Sequence, residues 1–288
     1  MKWEGNRESD NVEDQRSSGG GGIGGRGIGI GSIAIALVAS YFFGINPMTV
    51  LNILSGGGAP EAQVAQGPAQ KPPADDRMAK FVGTVLADTE DVWKDVFTKG
   101  GATYKEPKLV LFRGATQTAC GSGEAAMGPF YCPGDQKVYI DLAFYQTLKE
   151  RLGAPGDFAQ AYVIAHEVGH HVQNLLGIST KMDQMRSRVS QTEFNALSVR
   201  LELQADCFAG VWAHHAQKSR QILENGDVEE AMNAAAKIGD DALQRGGGGR
   251  VVPESFTHGT SAQRARWFNT GLQNGSVKGC DTFAARQL

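Results

Sequence analysis

Ala165-His-Glu-Val-Gly-His170 carries the pattern HExxH. Asp157 upstream can cap a helix and Gly177 downstream can end one, so the spacing predicts a helix through the motif. Residues four apart on a helix lie along one face. His166 and His170 can therefore offer imidazole nitrogens to one metal ion. Glu167, their neighbour, can reach a water on that ion and accept its proton. Zinc suits such a donor set, and a catalytic zinc takes three protein ligands, leaving the fourth position to water. Phe158, Ala161, Ala165, Val168, Val172 and Leu176 make a separate apolar stripe, which lets the helix pack while the histidine pair borders a cleft.

The third ligand must come from elsewhere. An extended motif with Gly at 173 and His at 176 is excluded, because the chain has Gln173 and Leu176. Arg200-Leu-Glu202-Leu-Gln-Ala-Asp206 supplies two carboxylates four apart on a second predicted helix, near 192–217. Glu202 is expected to bind zinc. Asp206 is expected to hydrogen-bond the far nitrogen of a ligand histidine and fix its ring. Ala205, Ala209, Gly210 and Ala213 are small enough to bring this helix close to the first.

The other histidines read differently. His171 lies about 100° around the helix from His170 and is not expected to be a ligand. His214 and His215 read as structural or surface residues. His258, just before a predicted capped helix, is a candidate catalytic donor to the carbonyl oxygen, joined by Arg264.

Outward from the motif, helices dominate. They are expected over 77–98, 142–152 and 227–244, and from a Thr260/Gln263 capping box to about Gly271. Asp227 and Glu230 offer a second capping box. Strands are expected at 108–112 (KLVLF) and 137–141 (KVYID), with an irregular loop over 116–134. The second strand is the candidate edge for pairing with an extended substrate. The fold class is α+β, mostly α, with a small sheet. Four cysteines allow three pairings. Cys120–Cys132 would close a short loop and leave Cys207–Cys280, the pairing favoured here.

The formal net charge is −3 and no long basic run exists, which argues against nucleic acid as a partner. Residues 1–27 are polar and Gly-rich and are expected to be disordered. Residues 28–45 (IGIGSIAIALVASYFFGI) carry no charge, and apolar residues continue to 54. A cleaved signal peptide, a buried core helix and a membrane anchor compete for this segment. The Gly-rich flanks and long polar lead favour a transmembrane anchor over 28–54. Arg26 precedes it and no Lys or Arg follows until Lys71, so the expected topology is single-pass, N-terminus inside, the rest extracytoplasmic. Residues 55–76 read as a linker, and 77–288 as the folded domain.

The chain resembles a bacterial family of neutral zinc metallopeptidases. The resemblance rests on the opening Met1-Lys-Trp-Glu-Gly-Asn-Arg-Glu-Ser-Asp-Asn-Val-Glu-Asp, Phe130-Tyr-Cys-Pro-Gly-Asp, Val138-Tyr-Ile-Asp141, the His166–His171 stretch, the Glu202–Cys207 stretch and Thr257-His-Gly-Thr-Ser. More distantly, HExxH followed by ExxxD looks like the gluzincin peptidases. The resemblance implies a zincin-like catalytic domain on the outer side of the bacterial cytoplasmic membrane. It also implies one zinc per chain on His166, His170 and Glu202, with Glu167 as base and Asp206 orienting a histidine. The expected partners are a protein or peptide substrate and, through the anchor, the lipid bilayer. A metal-stabilised scaffold without turnover and a small-molecule amidase are the competing functions.

Overall fold

The computed structural model describes residues 1–17, 70–125, 128–248 and 250–288. Over these residues the chain is mostly helical with small sheets, the α+β class that the sequence predicts. The strands are β1 (Val12–Asp14), β2 (Lys108–Phe112), β3 (Ala115–Thr118), β4 (Gly121–Glu124), β5 (Phe130–Cys132) and β6 (Lys137–Asp141). One sheet runs in the order β1-β2-β6-β5, and β3 pairs only with β4. β1, β2 and β6 are parallel, and β5 returns antiparallel to β6.

The two-residue alternation of β2 and β6 divides their side chains between two apolar clusters. Leu109, Leu111, Val138 and Ile140 join the main core. Val110, Phe112 and Tyr139 pack on the other face with Cys132.

Two sequence expectations change here. The stretch 116–134 is not irregular throughout, because it holds the β3–β4 hairpin and β5. Its glycines and polar residues hide the strands from a periodicity reading. And β6 is not an edge: β2 pairs along its whole length and β5 pairs with Lys137, Val138 and Tyr139. The edge strand on that side is β5.

The helices are α1 (Arg77–Lys99), α2 (Ala143–Glu150), α3 (Asp157–Leu175), α4 (Ile178–Arg186), α5 (Gln191–Arg220), α6 (Asp227–Lys237), α7 (Asp240–Gly246) and α8 (Ser261–Asn274). Asp76 caps α1 by accepting from the N–H groups of Met78 and Ala79. Capping boxes open α5 (Ser190/Glu193) and α8 (Thr260/Gln263). Gly177, with φ +74°, turns the chain out of α3. The other expected caps do not form. Asp157 is the first residue of α3, after Gly156, and its carboxylate accepts from the Met1 ammonium at 2.6 Å. Asp227 likewise opens α6 without capping it, and Glu230 accepts instead from the backbone N–H of Phe158.

Helix α5 is the hub, packed against α3 and α8. A side chain at Gly169 of α3 would stand 3.0 Å from the Ala205 carbonyl oxygen, so that glycine permits the close approach. Gly210 faces α8 rather than α3, and Gly271 of α8 faces α5 in return. Both expected disulfides form, Cys120–Cys132 and Cys207–Cys280, with Cα atoms 5.8 and 5.6 Å apart.

The N-terminal tail expected to be disordered is ordered over Met1–Arg16 and belongs to the same compact unit as the described residues from Gln70 onward. β1 adds to the sheet beside β2. Glu13 accepts from Lys108 and Lys137, each at 2.7 Å. Arg16 bonds Asp14 and Asp76, and Arg7 bonds the buried Glu90. Polar composition misled because this arm is held by ion pairs, one short strand and three scattered apolar anchors, Met1, Trp3 and Val12, with no periodic apolar face. The anchor expected over 28–54 lies outside the described residues. Among the described residues no helix is long and apolar enough to cross a membrane. β1 and β2, which lie on either side of residues 18–69 in sequence, are hydrogen-bonded neighbours.

Candidate metal and catalytic site

Helix α3 presents His166 and His170 one turn apart, and α5 delivers Glu202 between them. Glu202 Oε2 lies 3.2 Å from His166 Nε2, and Glu202 Oε1 lies 3.4 Å from His170 Nε2. Ligand atoms about 2.0–2.1 Å from a tetrahedral zinc are separated by roughly 3.3 Å. The two separations are of that size, although they end on different oxygens of Glu202, and one donor atom from each of the three residues lies within 4.8 Å of the others.

The proton positions point the same way. His166 Nδ1 is 2.8 Å from the Asp206 carboxylate, and His170 Nδ1 is 2.9 Å from Gln173 Oε1. Both partners can accept, so each Nδ1 carries hydrogen and each Nε2 is turned toward Glu202. Without a cation Nε2 takes a second proton and donates it to the carboxylate; with one, the bare nitrogen and the carboxylate become ligands together. Burial alone would lower the His166 pKa, but the charge and hydrogen bond of Asp206, with the bond to Glu202, push it up to about 10. Burial opposes ionisation of Glu202, yet the two histidines hold its carboxyl well below the usual range. The site is built to hold positive charge, and the donor set fits zinc.

Glu167 is buried, at 7% exposure, and burial raises its pKa against the pull of the histidines. A raised carboxylate pKa is what a general base working near neutral pH needs.

Behind His166 lies a closed polar cluster. Asp206 is fully buried and accepts from His166 Nδ1, from the Tyr162 hydroxyl at 2.5 Å and from Arg264 through both Nε and Nη2. Burial opposes its charge, but Arg264 and His166 bring its pKa down to about 2. Asp206 thus stands where the sequence expects an orienting partner for a ligand histidine. Arg264 does not stand where expected: its guanidinium is buried against Asp206, with Nη2 also 3.4 Å from His166 Nδ1, rather than offered to a substrate.

His258 stands in a loop laid over α5, where its neighbour Gly259 faces Val199 and Leu203, residues flanking Glu202. The ring is half exposed, and its Nδ1 lies 3.1 Å from Asp240 Oδ1. Asp240 Oδ2 accepts from the N–H groups of Thr257, His258 and Gly259, which fixes the loop. Desolvation lowers the His258 pKa, and the Asp240 hydrogen bond with the Glu202 charge more than reverses it. His171 is a buried structural residue: it bonds the Lys105 carbonyl and the Tyr131 hydroxyl, and burial takes its pKa down to about 4. His214 and His215 bond the carbonyls of Leu272 and Gly275.

Sequence reasoning missed Tyr162, Gln173 and Asp240. The first two had a usable signal, since each lies three or four residues from a motif histidine on the same helix. Asp240 had none, being remote in sequence.

The sequence matches the family described as "Putative neutral zinc metallopeptidase" over residues 1–283. The uncharacterised protein YpfJ of Escherichia coli strain K12 is 53% identical over 98% of this chain and 99% of its own length. The uncharacterised protein Rv2575 of Mycobacterium tuberculosis strain H37Rv is 42% identical over 68% of each chain. No solved structure matches.

Proposed function

This chain belongs to the neutral zinc metallopeptidase family, and on that premise we propose that it is a zinc-dependent endopeptidase of the zincin type. The observation that carries the reading is Glu202 set 3.2 and 3.4 Å from the paired imidazoles, with Glu167 buried beside them. His166, His170 and Glu202 would hold one zinc. That ion supplies a Lewis acid, which acidifies water and polarises the scissile carbonyl. Glu167 takes the proton of the attacking water as the C–O bond forms, and passes it to the amine nitrogen as the C–N bond then breaks. His258, braced by Asp240, donates from Nε2 to the oxygen that gains charge. An extended peptide adds to the sheet at β5, its edge strand among the described residues, in place of the β6 edge first expected.

Two disulfides support a place outside the reducing cytoplasm. The N-terminal arm shares that place, since it is part of the same folded unit.

The test uses the full chain, because a truncated chain begun at Arg77 would lack β1. Wild type is expected to bind one zinc and cleave a peptide library, with cleavage stopped by chelator. Glu167→Gln is expected to keep the zinc and lose cleavage. A zinc-loaded wild type with no peptide cleavage would leave a scaffold, and cleavage of small amides alone would leave an amidase.

A further inference from the structure

His170 is held by an uncharged chain of side chains, unlike His166, which is held by Asp206. His170 Nδ1 meets Gln173 Oε1 at 2.9 Å. Gln173 Nε2 donates to Gln204 Oε1 at 3.1 Å and to the Leu201 carbonyl at 2.7 Å. Gln204 Nε2 donates to the Cys280 carbonyl at 3.0 Å. Both amides are buried, Gln173 completely and Gln204 to 5% exposure. Cys280 is joined to Cys207, three residues beyond Gln204 on α5.

We propose that Gln173 and Gln204 form a directed amide relay through which the Cys207–Cys280 disulfide sets the tautomer and ring position of the metal ligand His170. The direction follows from donor and acceptor inventory alone. A backbone carbonyl only accepts, so Gln204 must turn its NH2 to Cys280 and its oxygen to Gln173. Gln173 must then turn its NH2 to Gln204, where the same group also serves Leu201. That leaves the Gln173 oxygen for His170, whose Nδ1 must carry the proton. The Nε2 lone pair is thereby fixed on the side of Glu202. Reversing any one amide sets two acceptors or two donors against each other in a buried place, which costs far more than the same clash in water.

The disulfide is the fixed end of this chain. The segment after α8 has other ties, since Arg200 donates to the carbonyls of Thr282 and Ala285, and the Thr282 hydroxyl donates to the Arg200 carbonyl. Cutting the disulfide removes the covalent tie on Cys280 and leaves its carbonyl held on the Thr282 side alone, where the Thr282 N–H donates to it at 2.9 Å. Gln173 and Gln204 are positioning residues, and the inference rests on reading His170 as a metal ligand.

The readout is the zinc dissociation constant of the full chain, measured by chelator competition, with folding followed by circular dichroism. Gln173→Leu and Gln204→Met are each expected to weaken zinc by about 10–100-fold, the range for loss of a group that orients a ligand. Because they act in series, the double variant is expected to bind no more weakly than the weaker single variant. Cys207→Ala/Cys280→Ala is expected to weaken zinc in the wild-type background and not in the Gln173→Leu background. Cys120→Ala/Cys132→Ala is expected to change nothing. If the Cys207/Cys280 variant does not fold, Gln204→Met carries the test, since it keeps the disulfide. Wild-type affinity in Gln204→Met, or losses that multiply in the double variant, would overturn the relay. A wild-type chain that takes up no zinc overturns the site reading itself.

Discussion

Arg264 grips both oxygens of Asp206, from Nε to one at 2.9 Å and from Nη2 to the other at 3.0 Å, with both side chains buried. The pair is the counterweight behind His166. Removing the guanidinium leaves a carboxylate in the core with only neutral or shared donors. Arg264→Met is expected to cost about 3–5 kcal/mol in urea unfolding, the scale for stranding one partner of a buried pair. Arg264→Lys keeps the charge but not the two-pronged geometry and is expected to recover part of that loss. Equal stability of Arg264→Met and wild type would show that the pair does not hold the core.

His258 offers a kinetic separation. His258→Ala is expected to lower kcat by roughly 10²–10³-fold, the range for loss of one donor to a developing oxyanion, with zinc content unchanged. Unchanged kcat with full zinc removes the proposal.

Asp240 sets a pH dependence on the same residue. Its hydrogen bond and the Glu202 charge raise the His258 pKa. The protonated ring is the donor, so activity falls as pH rises through that pKa. Asp240→Asn removes one raising contribution. The alkaline limb of the kcat profile is expected to move to lower pH, and a limb that stays in place would separate His258 from the reaction.

Gly271 and Gly210 make the contact between α5 and α8. A Cβ at Gly271 would stand 1.9 Å from the Cys207 carbonyl oxygen, and one at Gly210 would stand 2.0 Å from that of Phe268. Both obstacles are helix backbone, which cannot swing aside. Gly271→Ala is expected to destabilise by about 3 kcal/mol or more, at or beyond the usual range for overpacking, and to displace the helix that carries Glu202. A shift in thermal unfolding and in zinc affinity together would report it.

Asp14 braces Arg16, whose guanidinium bonds Asp76 and so ties the N-terminal arm to the domain. The Arg16 hydrogen bond, set against a smaller cost of burial, lowers its pKa. A lowered folded pKa means the contribution is present above the unfolded value, about 3.9, and is lost as pH falls through the folded value. Asp14→Asn is expected to cost about 1.5–3 kcal/mol at pH 7, the range for hydrogen bonds to charged groups. Its deficit in urea unfolding should shrink below about pH 4. A deficit that holds constant with pH would assign it to something other than this charge.

Much of the site was legible because helical spacing is local. His166, Glu167 and His170 lie on one turn, and Glu202 and Asp206 share a face of another helix, whatever those helices pack against. β2 and β6 were legible for the same reason, since KLVLF and KVYID carry their own pattern. The arm at residues 1–16 was not legible. Its charged residues read as solvated until Lys108, Lys137, Glu90 and Asp76 are placed beside them.

The sequence by itself determined which residues could serve as ligands, base and orienting carboxylate, because periodicity fixes what shares a helix face. Only the tertiary structure decided that Arg264 backs Asp206, that Gln173 and Gln204 link His170 to a disulfide, and that β5 rather than β6 forms the edge. Each of these depends on which elements become neighbours. That choice is made by close packing and by pairing of buried polar groups, and neither has a signature in a short window of sequence.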